Sequence, residues 1–342
     1  MDKSSEPRPY FLDDLARRRH FFEARAFFLG DVRAFFRRRG FLEVDAPNLV
    51  PAAGMEPHLD AFEVRGTATG RGAFLPTSPE FYLKKLLASG VHRCFCLAPA
   101  FRDEESSGRH SPEFLMLEWY RAGAPLGRLV EDCSGLLRTL ARRFLPEGIL
   151  ARGGLRCDLS SGVELLDLGE AFARWAGGDW RELGGDEAWR ERALTFGAQV
   201  HDGWSPNDCF SYILLTRIEP ELARVGRPAV LMGYPPFQGA LAREDPARPG
   251  VIERFELYMA GEELANAYAE LTDGAEQRRR YFAYQKERQD LVKPLHPPDE
   301  AFFLAVDRLP ECSGIALGAD RLLALLLGAS LRDIRHGTKV GE

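Results

Sequence analysis

Residues 101–120, FRDEESSGRHSPEFLMLEWY, gather the side chains most able to do chemistry. Arg102 closes an apolar segment, a polar loop carries Arg109 and His110, and a second apolar segment follows. The pattern predicts strand, phosphate-facing loop, strand, with Gly108 and Pro112 turning the chain. Basic side chains on such a loop can clamp a polyphosphate, and Phe114 beyond it can stack on a planar base. A charged hairpin standing alone is more often plain surface. A second group near the C-terminus, SGIALGADRLLALLLG at residues 313–328, shifts that balance. Gly318 allows a ligand close to the backbone. Asp320 falls at a predicted helix start, where a carboxylate suits the dipole and can cap free amides. Arg321 falls in the same turn, where a cation is disfavoured unless it meets an anion. A ligand phosphate would serve, and so would Asp320 or another acid.

These groups need elements to position them. Phe28, Val32, Phe35 and Phe36 recur at helical spacing, predicting a helix over residues 21–39 that ends at Gly40. Thr77-Ser78-Pro79 opens a second helix with Glu80 in its first turn. Residues 129–145 form a third, with Cys133, Leu136, Leu137, Leu140 and Phe144 on one face. Residues 151–243 are rich in Gly, Trp and charge, with helices expected over 164–176 and 186–200 and a turn at 235–238. Residues 252–259 and 264–271 read as adjacent strands joined at Gly261, followed by a polar helix over 275–291. Glu263 and Glu270 are seven apart, which reverses facing on a regular strand, so a bulge or bend between them is implied.

Composition bounds the function classes. Of 342 residues, 45% are hydrophobic and 28% charged, ordinary for a globular enzyme. The net charge of −6 is opposite to the footprint of a general nucleic-acid binder. The apolar run at 322–327 is too short to span a bilayer. The N-terminal stretch carries acids and no apolar core, unlike a secretory signal, and Arg17-Arg18-Arg19 reads as a solvated helix face. The six cysteines (94, 96, 133, 157, 209, 312) lack CxxC spacing and read as core residues of a protein in the reducing cytoplasm. No structural zinc is expected.

Arg102-Asp103-Glu104, Arg109-His110 and Pro112-Glu113-Phe114 together resemble motif 2 of the class II aminoacyl-tRNA synthetases, in its lysyl form. Gly318-Ala319-Asp320-Arg321 is similar to motif 3, and RGFLEVDAP at 39–47 to motif 1. GEELANAYAELTD at 261–273 adds a fourth matching segment in the family's order. The resemblance implies an α+β fold, an antiparallel β-sheet flanked by helices, dimerising through motif 1. It also implies a tail at 1–20, a catalytic domain at 21–330 with an insertion at 151–243, and a flexible tail at 331–342. Only about twenty residues precede the helix of motif 1, too few for a separate tRNA-reading domain. That arrangement resembles the elongation factor P lysine ligases, which join β-lysine to a lysine of that factor.

What the resemblance implies for the site follows residue by residue. Arg102 would hold the α-phosphate of ATP and the substrate carboxylate. Arg109, His110 and Arg321 would bracket the outer phosphates, Phe114 and Arg321 would sandwich adenine, and Glu104 would meet its amino group. Asp103, Ser111, Leu264 and Gly318 would complete the nucleotide contacts. Glu263 and Glu270 would serve Mg²⁺. Ser78, Glu80, Tyr120 and Glu270 would hold the amines, and Ala316, where the lysyl enzymes carry glycine, would reshape the pocket floor or be neutral. Ser111 departs from a usual asparagine, as does Asp103. The expected partners are elongation factor P, lysine or β-lysine and a second copy of the chain, with no membrane and no tRNA. Two alternatives stay open: a core that acylates tRNA, and a non-catalytic lysine- and ATP-binding regulator.

Overall fold

Successive side chains of a strand point to opposite faces, so the pairing of strands decides which residues of this chain can meet. A computed structural model of the protein describes residues 10–66, 72–103, 111–201 and 203–335. Its strands are β1 (Leu42–Glu43), β2 (Glu63–Val64), β3 (Ala73–Phe74), β4 (Arg93–Phe101), β5 (Glu113–Ala122), β6 (Ile149–Arg152), β7 (Leu155–Asp158), β8 (Glu164–Asp167), β9 (Ala229–Tyr234), β10 (Ile252–Met259), β11 (Glu262–Ala269) and β12 (Cys312–Gly318). The α-helices are α1 (Tyr10–Arg38), α2 (Glu80–Ala88), α3 (Leu126–Phe144), α4 (Leu168–Trp175), α5 (Gly185–Thr195), α6 (Pro206–Ile213), α7 (Glu219–Leu222), α8 (Gly274–Asp290), α9 (Glu300–Val306), α10 (Ala319–Leu327) and α11 (Leu331–Ile334).

Eight strands form one sheet in the order β1-β4-β5-β12-β11-β10-β9-β8. The six central strands are antiparallel, as expected, while the edge pairs β1/β4 and β8/β9 are parallel. One face carries Phe95, Leu117, Trp119, Ile315 and Ala267, packed with Phe36 of α1 and with Leu136 and Leu322 of α3 and α10. The Phe36 ring stacks on Phe95 at 4.8 Å between centroids. The other face carries the polar residues described below, walled by α2 and α9 through Leu83, Leu87 and Phe302.

Three boundaries differ from expectation. α1 begins at Tyr10, not near residue 21, because Arg18 and Arg25 hold its first half to the C-terminal part of the chain. The supposed tail after residue 330 contains α11, started by a capping box in which the Ser330 hydroxyl accepts the Asp333 N–H, with Ile334 fully buried. Residues 164–167 are strand β8; Asp167 caps α4 by accepting the N–H groups of Gly169 and Glu170. The segment 151–243 therefore supplies two strands of the main sheet. The β10–β11 turn forms as expected, with positive φ at both Ala260 and Gly261, the combination a two-residue type I′ hairpin needs.

Candidate active site

Register aligns the polar residues in two rows across the sheet. Glu118, Ala316, Asn266 and Glu256 are successive cross-strand partners on β5, β12, β11 and β10. Tyr120, Gly314, Tyr268 and Arg254 make the next row. The implied bulge is present: Leu257 pairs with Ala265 and Tyr258 with Glu263, leaving Leu264 as the extra residue. Leu264 and Ala265 both enter the core, and Glu263 returns to the face of Asn266 and Glu270.

At one end a cavity of about 190 Å³ is lined by Arg102, Ser111, Phe114, Glu263, Leu264, Ala316, Gly318 and Arg321. These eight, from three separated stretches of sequence, are among the residues the sequence singled out for nucleotide and pocket floor; Met116, Ala265, Asn266, Asp320 and Leu331 also line the cavity. The Arg102 guanidinium lies 5.2 Å from the Phe114 ring centroid. Its buried Nε has no hydrogen-bond partner among the described residues, so a donor is available to a ligand. Arg321 donates from Nη1 to the Glu263 carbonyl. Asp103 is exposed and does not line the cavity. Glu104, Arg109 and His110 lie outside the described residues. Asp320 does not cap α10: the N-cap is Gly318, and Asp320 accepts the Leu115 N–H at 2.8 Å and a bond from Arg25.

Farther along the face, Lys84 of α2 is 1% exposed, with Nζ 2.5 Å from Glu80 Oε1 and 2.6 Å from Glu270 Oε2. Glu118, also 1% exposed, accepts the Tyr120 hydroxyl at 2.7 Å. Its second oxygen has no partner among the described residues. Ser78 accepts the Glu80 N–H at 3.2 Å and sets the start of α2. Two buried carboxylates thus hold one ammonium group, and the third, Glu118, lies near enough to feel the Glu80 charge. Burial pushes Glu118 well above the usual carboxylate range, and the nearby Glu80 charge adds to it. Burial likewise raises Glu270 to about 7, against the opposing pull of Lys84. Burial pulls Lys84 down, but Glu270 and Glu80 outweigh it and hold the group charged. Gly314 is required here: a Cβ would enter the Tyr120 ring and stand 2.5 Å from Glu270 Oε1.

The two glutamates expected to serve the metal, Glu263 and Glu270, have unlike surroundings. Glu270 already holds an ammonium group, whereas Glu263 lines the cavity and is raised to about 7, first by burial and then by the Glu256 charge. Glu256 accepts hydrogen bonds from Tyr234 at 2.7 Å, from Tyr258 at 2.6 Å and from Arg254. No group of three or more potential ligands occurs among the described residues. Glu256 is thus as fully engaged as Glu270, whereas Glu263 opens onto the cavity, where a carboxylate suits a hard cation that takes its remaining oxygens from phosphates and water.

Lys84, Glu118, Glu256 and Arg254 were not identified from sequence. Lys84 stands four after Glu80, the spacing of facing residues on a helix, and Glu118 shares the pleat face of Tyr120, so both signals were available. Glu256 and Arg254 depend on pairing with β11, which spacing along the chain does not disclose.

Residues 11–336 match the family described as tRNA synthetases class II (D, K and N). Among curated proteins, the chain is 37% identical over 313 residues to the elongation factor P–(R)-β-lysine ligase of Yersinia enterocolitica, covering 89% of this chain and 90% of the relative. Proteins of the same name from Klebsiella pneumoniae and Vibrio cholerae are each 36% identical, with the same coverage.

Proposed function

Because this chain belongs to the class II tRNA synthetase family, in the group of the elongation factor P–(R)-β-lysine ligases, we propose that it joins (R)-β-lysine, or lysine, to a lysine ε-amine of elongation factor P at the expense of ATP. In the first step a substrate carboxylate oxygen attacks the α-phosphorus and pyrophosphate leaves. Charge develops on phosphate oxygens, where preorganised cations contribute most. Arg102 and Arg321 meet that charge, and Phe114 offers its ring to adenine. In the second step the neutral ε-amine of the acceptor attacks the carbonyl carbon, AMP departs with the bonding electrons, and the amine proton passes to a carboxylate or to AMP. Glu263 would help to hold magnesium, whose chemistry when bound is to neutralise charge on the phosphates.

One observation carries this reading: arginines and an aromatic at one end of the face, and an excess of buried acids at the other. A substrate with one carboxylate and two ammonium groups matches both ends, since buried charges need opposite partners. Ala316, facing Glu118 and Asn266 across the strands, lies between the ends and would set the floor. The reading includes a homodimer formed through α1 and β1, supported by the exposure there of Phe27 (57%) and Leu42 (54%). It also places the chain in the cytoplasm, where its six free, buried thiols would persist. Among the described residues no helix is long and apolar enough to cross a membrane.

The test is ATP–pyrophosphate exchange with each lysine isomer. Exchange dependent on a lysine is expected; none with any isomer would favour a non-catalytic binder. The pH profile should be informative. Glu270 is raised to about 7 from 4.5, so in the folded protein it takes up a proton that the unfolded chain has already released across that interval. The substrate-free protein should therefore lose stability as pH rises from 4.5 to about 7. A dicationic substrate gains as Glu270 ionises, and its KM at saturating ATP should fall about tenfold between about pH 6 and about pH 8. Glu270→Gln should flatten that profile; an unchanged slope would contradict the assignment.

A further inference from the structure

α11 and Arg335 reach the nucleotide cavity. Leu331 lines the same cavity as Arg102, Phe114 and Arg321. Arg335 donates from Nη1 to the hydroxyl of Ser111, another lining residue. Its Nη2 lies 3.5 Å from Glu113 Oε2, and its Nε 3.9 Å from Asp320 Oδ2. One largely buried guanidinium thus spans the start of β5 and the first turn of α10, and residues of both elements line the cavity.

The segment is itself held from outside. The carbonyls at the end of a helix lack intrahelical partners and need donors. Arg18 of α1 supplies them, bonding the carbonyls of Arg332, Asp333 and Arg335. Arg25, seven residues on and so on the same face of α1, binds Asp320. Two arginines of one helix therefore fix both the C-terminal segment and the turn bearing Arg321.

We infer that α11 and Arg335 form a fixed wall of the nucleotide cavity, latched by Arg18, and that Arg335 is a positioning residue for ATP. It acts through Ser111, holding the edge of β5 that carries Phe114 at its working distance from Arg321. This rests on the reading of the cavity as an ATP site. It concerns ATP rather than the amine, because none of its contacts reaches Lys84, Glu80 or Glu270.

Calorimetric titration of the full chain with ATP, alongside KM values for ATP and lysine from pyrophosphate exchange, tests it. Arg335→Ala should weaken ATP binding about tenfold, the loss of one hydrogen bond to a charged group. It should leave the lysine KM within about twofold, while Arg335→Lys should recover part of the loss. Arg18→Ala, which touches no cavity residue directly, should shift ATP in the same direction by a smaller factor. Unchanged ATP affinity in Arg335→Ala, or equal losses for ATP and lysine, would overturn the inference. If Arg335→Ala does not fold, Arg335→Lys and Arg18→Ala decide by the same two readouts. A wild type that binds ATP but activates no lysine would overturn the proposed function instead, and calorimetry would still decide the wall.

Discussion

Replacing Arg102 by Ala should lower lysine-dependent pyrophosphate exchange by about 10³-fold. Arg102 sits at the lip of β4, where its backbone N–H bonds the Pro112 carbonyl at 2.8 Å and its guanidinium faces the Phe114 ring. Those backbone bonds survive the substitution. The side-chain Nε has no partner among the described residues, so truncation orphans no acceptor there, and the melting temperature should move little. What disappears is a cation placed where an attacking carboxylate and an α-phosphate must share charge. Both KM for ATP and kcat should suffer, since the group would meet the ground-state phosphate and the developing charge alike. A loss of only a few-fold, with normal folding, would mean that the reaction centre lies elsewhere.

Lys84→Met should be the most damaging substitution for stability. The ammonium group lies between Glu80 and Glu270, all three nearly inaccessible to water. Removing one member of a buried ionic cluster costs about 3–5 kcal/mol, because the remaining charges stay buried without compensation. Some of that cost is avoided when Glu80 and Glu270 take up protons. Adding Glu270→Gln to the Lys84 variant should recover part of the stability, as a coupled pair requires. Lysine offers ammonium groups to the same carboxylates, so its addition should raise the melting temperature more in the variant than in the wild type. Thermal unfolding with and without lysine measures all three. A variant as stable as the wild type would show that the cluster is not ionised as described.

The parts legible in sequence were those whose signals are local. Helix periodicity located the Phe28–Phe36 face, the TSPE start located α2, and the seven-residue spacing of Glu263 and Glu270 implied a bulge that the strand contains. Glu118 was hidden because it stands in an otherwise apolar strand, where an acid reads as an edge residue until its cross-strand partners are known. Glu256 needed the β10–β11 register, a non-local fact, before it could be placed beside Asn266 on the polar face. The parallel edge strands were beyond reach for the same reason, since short segments such as β1 and β8 carry no mark of their partners. α11 was different. Ser330 and Asp333 spell a capping box, and only the charged text after them suggested a tail.

Intact-mass spectrometry of elongation factor P, incubated with the protein, ATP and each lysine isomer, shows whether the factor is the acceptor. The factor should gain a single lysyl or β-lysyl group, absent without ATP and with the Arg102→Ala variant, provided that it keeps its target lysine. An unmodified factor, with the label found on tRNA or on no macromolecule, would contradict that role.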